Sequence, residues 1–310
     1  GVFLDARFSA PWCILGKVDP QYCKPFMTPP EHVMCFHYVT KGQCLIAIDG
    51  EEPREIRMGD VVLVPRNTLH KMGSRLDMET QPFQATLAPN ELGVPRIVHG
   101  GGGEPCEMIC GFLGGDAQIL PLISALPPLM TMRLSDSPGG DWIAQSFRFG
   151  AQQLAQGDPG AATIISKMSE LLFVEAVRRY LKSMPEERTG FLAGLRDAAV
   201  GKALALMHSQ VAREWTVDEL AHEVNMSRSV FAERFAALIG IPPVRYLTSW
   251  RMQLAAHKLR EGRQTIPQIA FDIGYESEAA FARAFKREVG IPPATWRKRA
   301  ADGSLAAKAN

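Results

Sequence analysis

The chain's 310 residues, 46% hydrophobic and 22% charged, suit two soluble globular domains. A net charge of +1 excludes a strongly basic or acidic chain, and without eighteen consecutive apolar residues no transmembrane helix is expected. The charge is unevenly spread: residues 201–310 hold 16 Lys and Arg against 11 Asp and Glu, a net +5, while the remainder carries a net −4.

That asymmetry is the one expected where the C-terminal part meets nucleic acid. The opening Gly1-Val-Phe-Leu-Asp-Ala-Arg7 has no basic stretch leading into an apolar one, so no export signal is read there and a cytoplasmic location is expected. In that compartment the six cysteines, Cys13, Cys23, Cys35, Cys44, Cys106 and Cys110, are expected as thiols.

From Phe3 to about Leu87, short apolar runs alternate with turn signals. Met34–Val39, Cys44–Ile48 and Val61–Val64 are separated by Gly42, Asp49-Gly50 and Gly59-Asp60. Short strands at this spacing predict a sandwich or barrel. Phe36-His37 followed by Gly42, then Gly59-Asp-Val-Val-Leu-Val-Pro65 and His70, resemble the two halves of a cupin barrel. Residues 94–99 and 107–113 continue it. Gly100-Gly-Gly-Gly103 has no following helix and no Lys-Ser/Thr pair, so it is no phosphate loop. The chain is expected to leave the barrel over Leu120–Met130, with Ser135–Gly140 as loop.

Trp142–Gln156 predicts a helix with Ile143, Phe147 and Leu154 on its apolar side. A second, from about Ala161, carries a stripe of Ile164, Ile165, Met168, Leu171, Leu172, Glu175 and Val177. The stripe faces either the barrel wall or the same helix of a second subunit, and dimerisation is preferred. The expected organisation is a barrel over 1–130, a helical dimerisation segment over 131–183, a linker over 184–199, an all-helical domain over 200–300 and a flexible tail over 301–310. The fold class is therefore α+β in two domains.

The C-terminal domain repeats itself. Ser227–Pro243 and Ser277–Pro293 share Ser, two Phe and a Gly-Ile-Pro-Pro tail at an offset of 50. Thr216 with Glu219 reads as a capping box opening a short helix; after Asn225-Met-Ser227, with Ser227 as the cap, a second helix turns Val230, Phe231, Phe235 and Leu238 inward. The second copy runs through Ile269, Ala270 and Ile273, turns at Gly274–Ser277 one residue longer than the first, and keeps Phe281, Phe285 and Val289 inward. This is the grammar of helix-turn-helix units, placed at 217–238 and 266–289, with a long helix from Pro243 setting their separation.

Leu220-Ala221, Ser227, Phe231, Phe235, Gly240-Ile-Pro-Pro243, Tyr246-Leu247, Arg251, Ile269-Ala270, Gly274-Tyr275, Ser277, Phe281, Phe285-Lys286 and Gly290-Ile-Pro-Pro293 closely resemble the DNA-binding domain of the AraC/XylS family of transcriptional regulators. With the barrel, the likeness is to the branch carrying a cupin-type sensor. The resemblance implies a sequence-specific regulator that binds double-stranded promoter DNA as a homodimer, engages RNA polymerase if it activates, and answers a small-molecule, metal or redox signal. It implies that both recognition helices enter the major groove. Counting outward from the buried positions gives base-reading residues Arg228, Ser229, Ala232 and Glu233 in the first, and Glu278, Ala279, Ala282 and Arg283 in the second. Ser227, Ser277, Arg245, Arg251, Lys286 and Arg287 are read as phosphate contacts, with linker packing the alternative for the basic ones.

Cupin enzymes hold a metal with two His and an acid on one motif plus a later His. Here the first motif keeps only His37, without His-X-His or the usual Glu. His37 and His70 are therefore read either as histidines satisfied by backbone groups or as a zinc site completed by Cys35 or His32. The cysteines admit burial as small hydrophobes, or a redox switch joining Cys13 or Cys23 to Cys106 or Cys110. The rival reading of the whole chain is a cupin metalloenzyme fused to a DNA-binding domain.

Overall fold

In the computed structural model, residues 2–19, 23, 30, 32–88, 96–115, 120–136, 138–156, 160–185 and 188–301 are described. The chain divides into two compact units, Gly1–Ser183 and Met184–Asn310. No helix among the described residues is long and apolar enough to cross a membrane.

The strands of the first unit are β1 (Val2–Ser9), β2 (Cys13–Gly16), β3 (His32–Lys41), β4 (Gln43–Ile48), β5 (Arg54–Arg57), β6 (Asp60–Val64), β7 (His70–Gly73), β8 (Gln81–Pro82), β9 (Leu87–Ala88), β10 (Arg96–Gly100), β11 (Pro105–Gly115) and β12 (Met130–Arg133). They form a seven-stranded sheet, β12-β6-β3-β11-β1-β10-β9, and a five-stranded sheet, β5-β4-β7-β2-β8, closed over one core as in a cupin. Strand β3 is apolar at nearly every position because both of its faces are covered. Val33, Cys35 and Val39 enter the core between the sheets, while Phe36 and Tyr38 meet Phe147 outside it. In β4 only Cys44, Ile46 and Ile48 point inward, so that strand alternates.

The chain does not leave the barrel over Leu120–Met130. After α1 (Leu120–Ala125), β12 returns and pairs Met130 with Leu63 and Arg133 with Asp60, closing the edge that β6 would otherwise leave open. Helix α2 (Pro138–Ala155) starts inside the stretch expected as loop, with Pro138 where a missing N–H costs nothing. A Cβ on Gly140 would fall 1.9 Å from the Leu134 carbonyl oxygen, so the glycine marks a close approach rather than a break. The side chain of Leu154 lies outside the described residues, as do residues 302–310 of the expected tail.

Helix α3 (Ala161–Ser183) splits its predicted stripe. Ile165 and Leu172 are buried within the unit, where α3 packs on α2 and on β1 and β11, so that part of the stripe faces the barrel unit itself. Ile164, Leu171 and Val174 remain exposed. Glu175 is not an apolar-face residue but the hub of an ion cluster. Arg178 and Arg179 both reach it at 2.8 Å, and Arg179 continues to the carbonyls of Arg133 and Leu134. The Arg178 hydrogen bond, aided by Arg179 and opposed by burial, pulls the carboxyl down to about 2.

The second unit comprises α4 (Phe191–Arg196), α5 (Ala198–Ser209), α6 (Val217–Glu223), α7 (Arg228–Ile239), α8 (Pro243–Glu261), α9 (Ile266–Asp272), α10 (Glu278–Val289) and α11 (Pro293–Ala301). Of the stretch 184–199 expected as linker, α4 is helical and buries Leu192 and Ala193, with Phe191 and Leu195 against the first helix-turn-helix core. Two cores follow one another along α8. Leu247 and Trp250 join Leu204, Leu220, Phe231 and Phe235, while Met252, Leu254 and Leu259 join Ile269, Ile273, Phe281 and Phe285.

The Glu175 cluster predicts an acid-dependent stability term. A depressed carboxyl stabilises the fold above its unfolded value near 4.5 and loses that contribution as pH falls through about 2. Glu175→Gln should cost roughly 2–3 kcal/mol at neutral pH in urea unfolding, and the gap from the parent should close towards pH 2.

Candidate nucleic-acid interface and barrel interior

Each helix-turn-helix turn reverses through one residue with positive φ, Asn225 at 55° in the first and Gly274 at 86° in the second. The following N–H groups, of Met226 and Tyr275, both donate to the carbonyl of the alanine five back, Ala221 or Ala270, at 2.9 Å. Asn225 therefore does the work of Gly274, and the extra residue of the second turn, Glu276, comes after the reversal. Only glycine fits at 274, since a Cβ there would lie 2.4 Å from the Ala212 carbonyl oxygen. The caps also differ. Ser277 accepts from the Ala280 N–H at 3.2 Å, whereas Ser227 makes no capping bond with its side chain, contrary to expectation, and its hydroxyl stays exposed.

With Phe231, Phe235, Phe281 and Phe285 fully buried, the opposite faces point outward. Arg228, Ser229, Glu233, Glu278, Ala279 and Arg283 are exposed, and Ala232 and Ala282 half-buried. Val230, expected inward, is 52% exposed. Its counterpart in the second copy is Ala280, and that small residue was the signal that the position does not need a large core side chain. Arg228 pairs with Asp218 of α6 at 3.3 Å, but no partner of Arg283 stands among the described residues. Lys286 and Arg287 are exposed on the last turn of α10, where the first copy has Ala236 and Ala237.

Two of the basic residues brace the domain. Arg245 at the start of α8 meets Glu288 of α10 at 3.0 Å, tying the long helix to the second helix-turn-helix. Arg251 donates to the carbonyls of Val211 at 2.9 Å and Arg213 at 2.8 Å and lies beside Gly274, which is the packing alternative rather than a phosphate contact. Arg234, absent from the sequence reading, reaches the Asp197 carboxylate at 2.8 Å while that carboxylate caps α5. It orients α7 from behind.

Inside the barrel, His37, His70 and Cys110 line a cavity of about 30 Å³, room for a water or two. His70 Nδ1 lies 2.8 Å from the Thr68 carbonyl, His37 Nε2 lies 3.0 Å from His70 Nε2, and His37 Nδ1 lies 3.0 Å from Cys110 Sγ. Burial holds both imidazoles below their usual range, so both are neutral. A carbonyl only accepts, so His70 Nδ1 carries the proton and its Nε2 accepts. His37 Nε2 must then donate, its Nδ1 must accept, and Cys110 must be a thiol donating to it. The chain of protons has one solution.

This geometry does not fit zinc. Cys110 sits on the far nitrogen of His37 and Cys35 donates to Asn67 Oδ1 at 3.3 Å, so neither thiol converges with the two imidazole nitrogens on one point. His32, an odd number of residues from His37 on β3, belongs to the other face. No group of three or more His, Cys, Asp or Glu among the described residues is placed to hold a metal ion.

All six cysteines are buried and free. Burial raises Cys13, Cys23 and Cys110, and takes Cys35 up to about 12. Cys13 pairs across β2 to Gly73 of β7, and Cys23 neighbours Cys35. The thiol beside Cys106 is that of Cys44, which the sequence reading left aside because the contact crosses between sheets.

The histidine pair predicts acid sensitivity of the barrel. Bases held below an unfolded value near 6.5 stabilise the fold above it, and that contribution is lost as pH falls below 6.5 towards their folded values. His70→Gln should be less stable than the parent at pH 7.5, yet lose less between pH 6.5 and 5, the difference being at most about 1.4 kcal/mol per pH unit for each histidine. Equal losses in urea titrations of both proteins would assign the acid sensitivity elsewhere.

Residues 1–182 match the Cupin family model, and residues 220–299 match the Helix-turn-helix domain model. A putative AraC-like transcription regulator of Streptomyces lividans is 36% identical over 271 residues, 86% of this chain and 87% of that one. The RCS-specific HTH-type transcriptional activator RclR of Escherichia coli K12 is 27% identical over 290 residues, 93% and 91% of the two chains. Among solved structures, the DNA-binding domain of the global transcriptional factor AdpA, in complex with a target DNA, aligns with 33% of this chain and 95% of its own at 29% identity and a TM-score of 0.31. With its cupin domain followed by paired helix-turn-helix units, this chain belongs to the AraC-like family of DNA-binding transcriptional regulators.

Proposed function

We propose that α7 and α10 read successive major-groove segments of one promoter site, about one helical turn or roughly 34 Å apart. The observation that carries this is the rotation of both helices, each burying two phenylalanines and turning a polar face outward. Arg228 and Arg283 suit guanine, Glu233 and Glu278 suit the cytosine amino group, and Ala232, Ala279 and Ala282 suit a thymine methyl. Val230 adds a larger apolar contact of the same kind. Ser227, Ser277, Arg245, Lys286 and Arg287 hold phosphates, which makes the second reader the stronger electrostatic grip.

In this reading the protein acts in the cytoplasm as a homodimer. What supports the dimer is the exposed apolar set that α2 and α3 leave, Trp142, Phe149, Ile164, Leu171 and Val174. The barrel unit receives the controlling signal. Of the three kinds considered, an oxidant suits this interior best, because its cavity admits no more than a water or two and no group of three metal-ligating side chains stands among the described residues. The Escherichia coli relative is named a transcriptional activator, and RNA polymerase is the partner here if this protein activates as well.

Arg283→Ala should cost about 1–3 kcal/mol against the preferred site and relax preference at one base pair, while Lys286→Ala should weaken all sequences alike and lower the salt slope by about one. Binding titrations on a randomised site separate the two patterns, and a uniform loss for Arg283→Ala would move it to the phosphates. Val174→Glu, placed on the exposed apolar set, should shift sedimentation from dimer to monomer; an unchanged mass would put the dimer contact elsewhere.

A further inference from the structure

The turn between β3 and β4 lies hard against the start of β11. Gly42 adopts φ +74°, and a Cβ on it would fall 2.2 Å from the Pro105 carbonyl oxygen and 3.3 Å from the Cys106 Cα. Beside it Lys41 and Glu107 are register partners, and their side chains pair at 3.2 Å. Two residues past Gly42, Cys44 turns into the core that Cys106 also enters, and the two thiols are neighbours there. Gly42, Cys44 and Pro105 line a groove of about 930 Å³ on the surface above this contact.

We propose that Cys44 and Cys106 form an oxidisable dithiol, a covalent modification site that a small peroxide converts to an intramolecular disulfide. The contact between the two thiols lets one keep the proton while the other is held towards thiolate against the effect of burial, so one sulfur attacks and the other resolves. The first thiolate attacks one peroxide oxygen, the O–O bond breaks, and hydroxide leaves. The second sulfur then attacks the sulfenic acid, expelling its oxygen as water. In sum two thiols lose two electrons and two protons, and one peroxide becomes two waters. The remaining thiols lack this arrangement: Cys110 donates to a neutral imidazole, Cys35 to an amide, and burial raises Cys13 and Cys23. Both residues are nearly enclosed, at 3% and 2% exposure, which selects for small oxidants over glutathione-sized ones. A bond there would fasten the β3–β4 hairpin to β11.

The 310-residue chain, reduced and then treated with hydrogen peroxide, should fall from six alkylatable thiols to four on denaturation in N-ethylmaleimide. Peptide mapping should join the segment carrying Cys44 to the one carrying Cys106. Cys110→Ser should keep the link and Cys106→Ser should lose it. Full alkylation of Cys44 and Cys106 in treated wild-type protein, or a link from either to another cysteine, overturns the proposal without recourse to a variant. That the pair carries the signal to DNA rests on the regulatory reading above. A promoter-affinity change of about fivefold or more on oxidation, absent in Cys44→Ser, supports that role. A link that forms with affinity unchanged removes the role and leaves the thiol chemistry standing, whereas absence of sequence-specific binding in the reduced protein strikes the regulatory reading itself.

Discussion

Two phenylalanines four residues apart, wholly buried in each recognition helix, fix the rotation of that helix about its axis, and the reading face depends on that rotation. Burying one such ring is worth about 1.5–3 kcal/mol, so a pair outweighs any cap or surface ion pair available to a helix this short. Everything outward is then settled by spacing. The residues two positions away from the rings, Ser229, Glu233, Ala279 and Arg283, must then face solvent, whatever their chemistry. The scaffold can therefore keep its phenylalanines while the exposed residues change the sequence that is read.

The long helix α8 carries this constraint from one reader to the other. Its first half completes one core and its second half the other, so neither core can shift without moving the shared helix. Arg245 to Glu288 and Arg251 to the carbonyls of Val211 and Arg213 add bonds across the same joint. The repeats are equal in these buried parts and unequal on the surface. The last turn of α7 is apolar and small where α10 has Lys286 and Arg287. The Ser227 hydroxyl is also left open where Ser277 is engaged as a cap.

Where function lay in local pattern, the sequence was readable. The helix-turn-helix pairs, the capping box at Thr216 and the outward faces are matters of spacing within a dozen residues, and helical period alone places them. Val230 was misjudged because a β-branched residue next to Phe231 looks like core until it is set against Ala280 in the other copy. The barrel was readable as a class from its turns, but not its closure, since nothing local says that Met130–Arg133 will pair with β6 some seventy residues earlier. The interior was hardest. His37 and His70 were singled out by residue type, yet whether they bind a metal or each other depends on which way the rings face, and strand spacing does not contain that. Cys44 was missed for the same reason: its neighbour comes from the opposite sheet.

Cys106 and Cys110 show how far such non-local partners decide chemistry. They stand on one face of one strand, four residues apart, equally buried and identical in type. Cys110 meets the Nδ1 of an imidazole whose other nitrogen is committed as a donor to His70, so its proton has a definite acceptor and the thiol form is held. Cys106 meets a second thiol, so one of the two can keep the proton while the other is held towards thiolate, and later supply the sulfur that replaces oxygen. Both are enclosed by the same apolar core, so burial cannot separate them. The separation comes from the turn at Gly42, where the lack of a side chain lets the hairpin approach β11 closely enough to bring Cys44 to Cys106 and not to Cys110. A backbone constraint with no chemistry of its own thereby selects which of two like residues is open to chemistry.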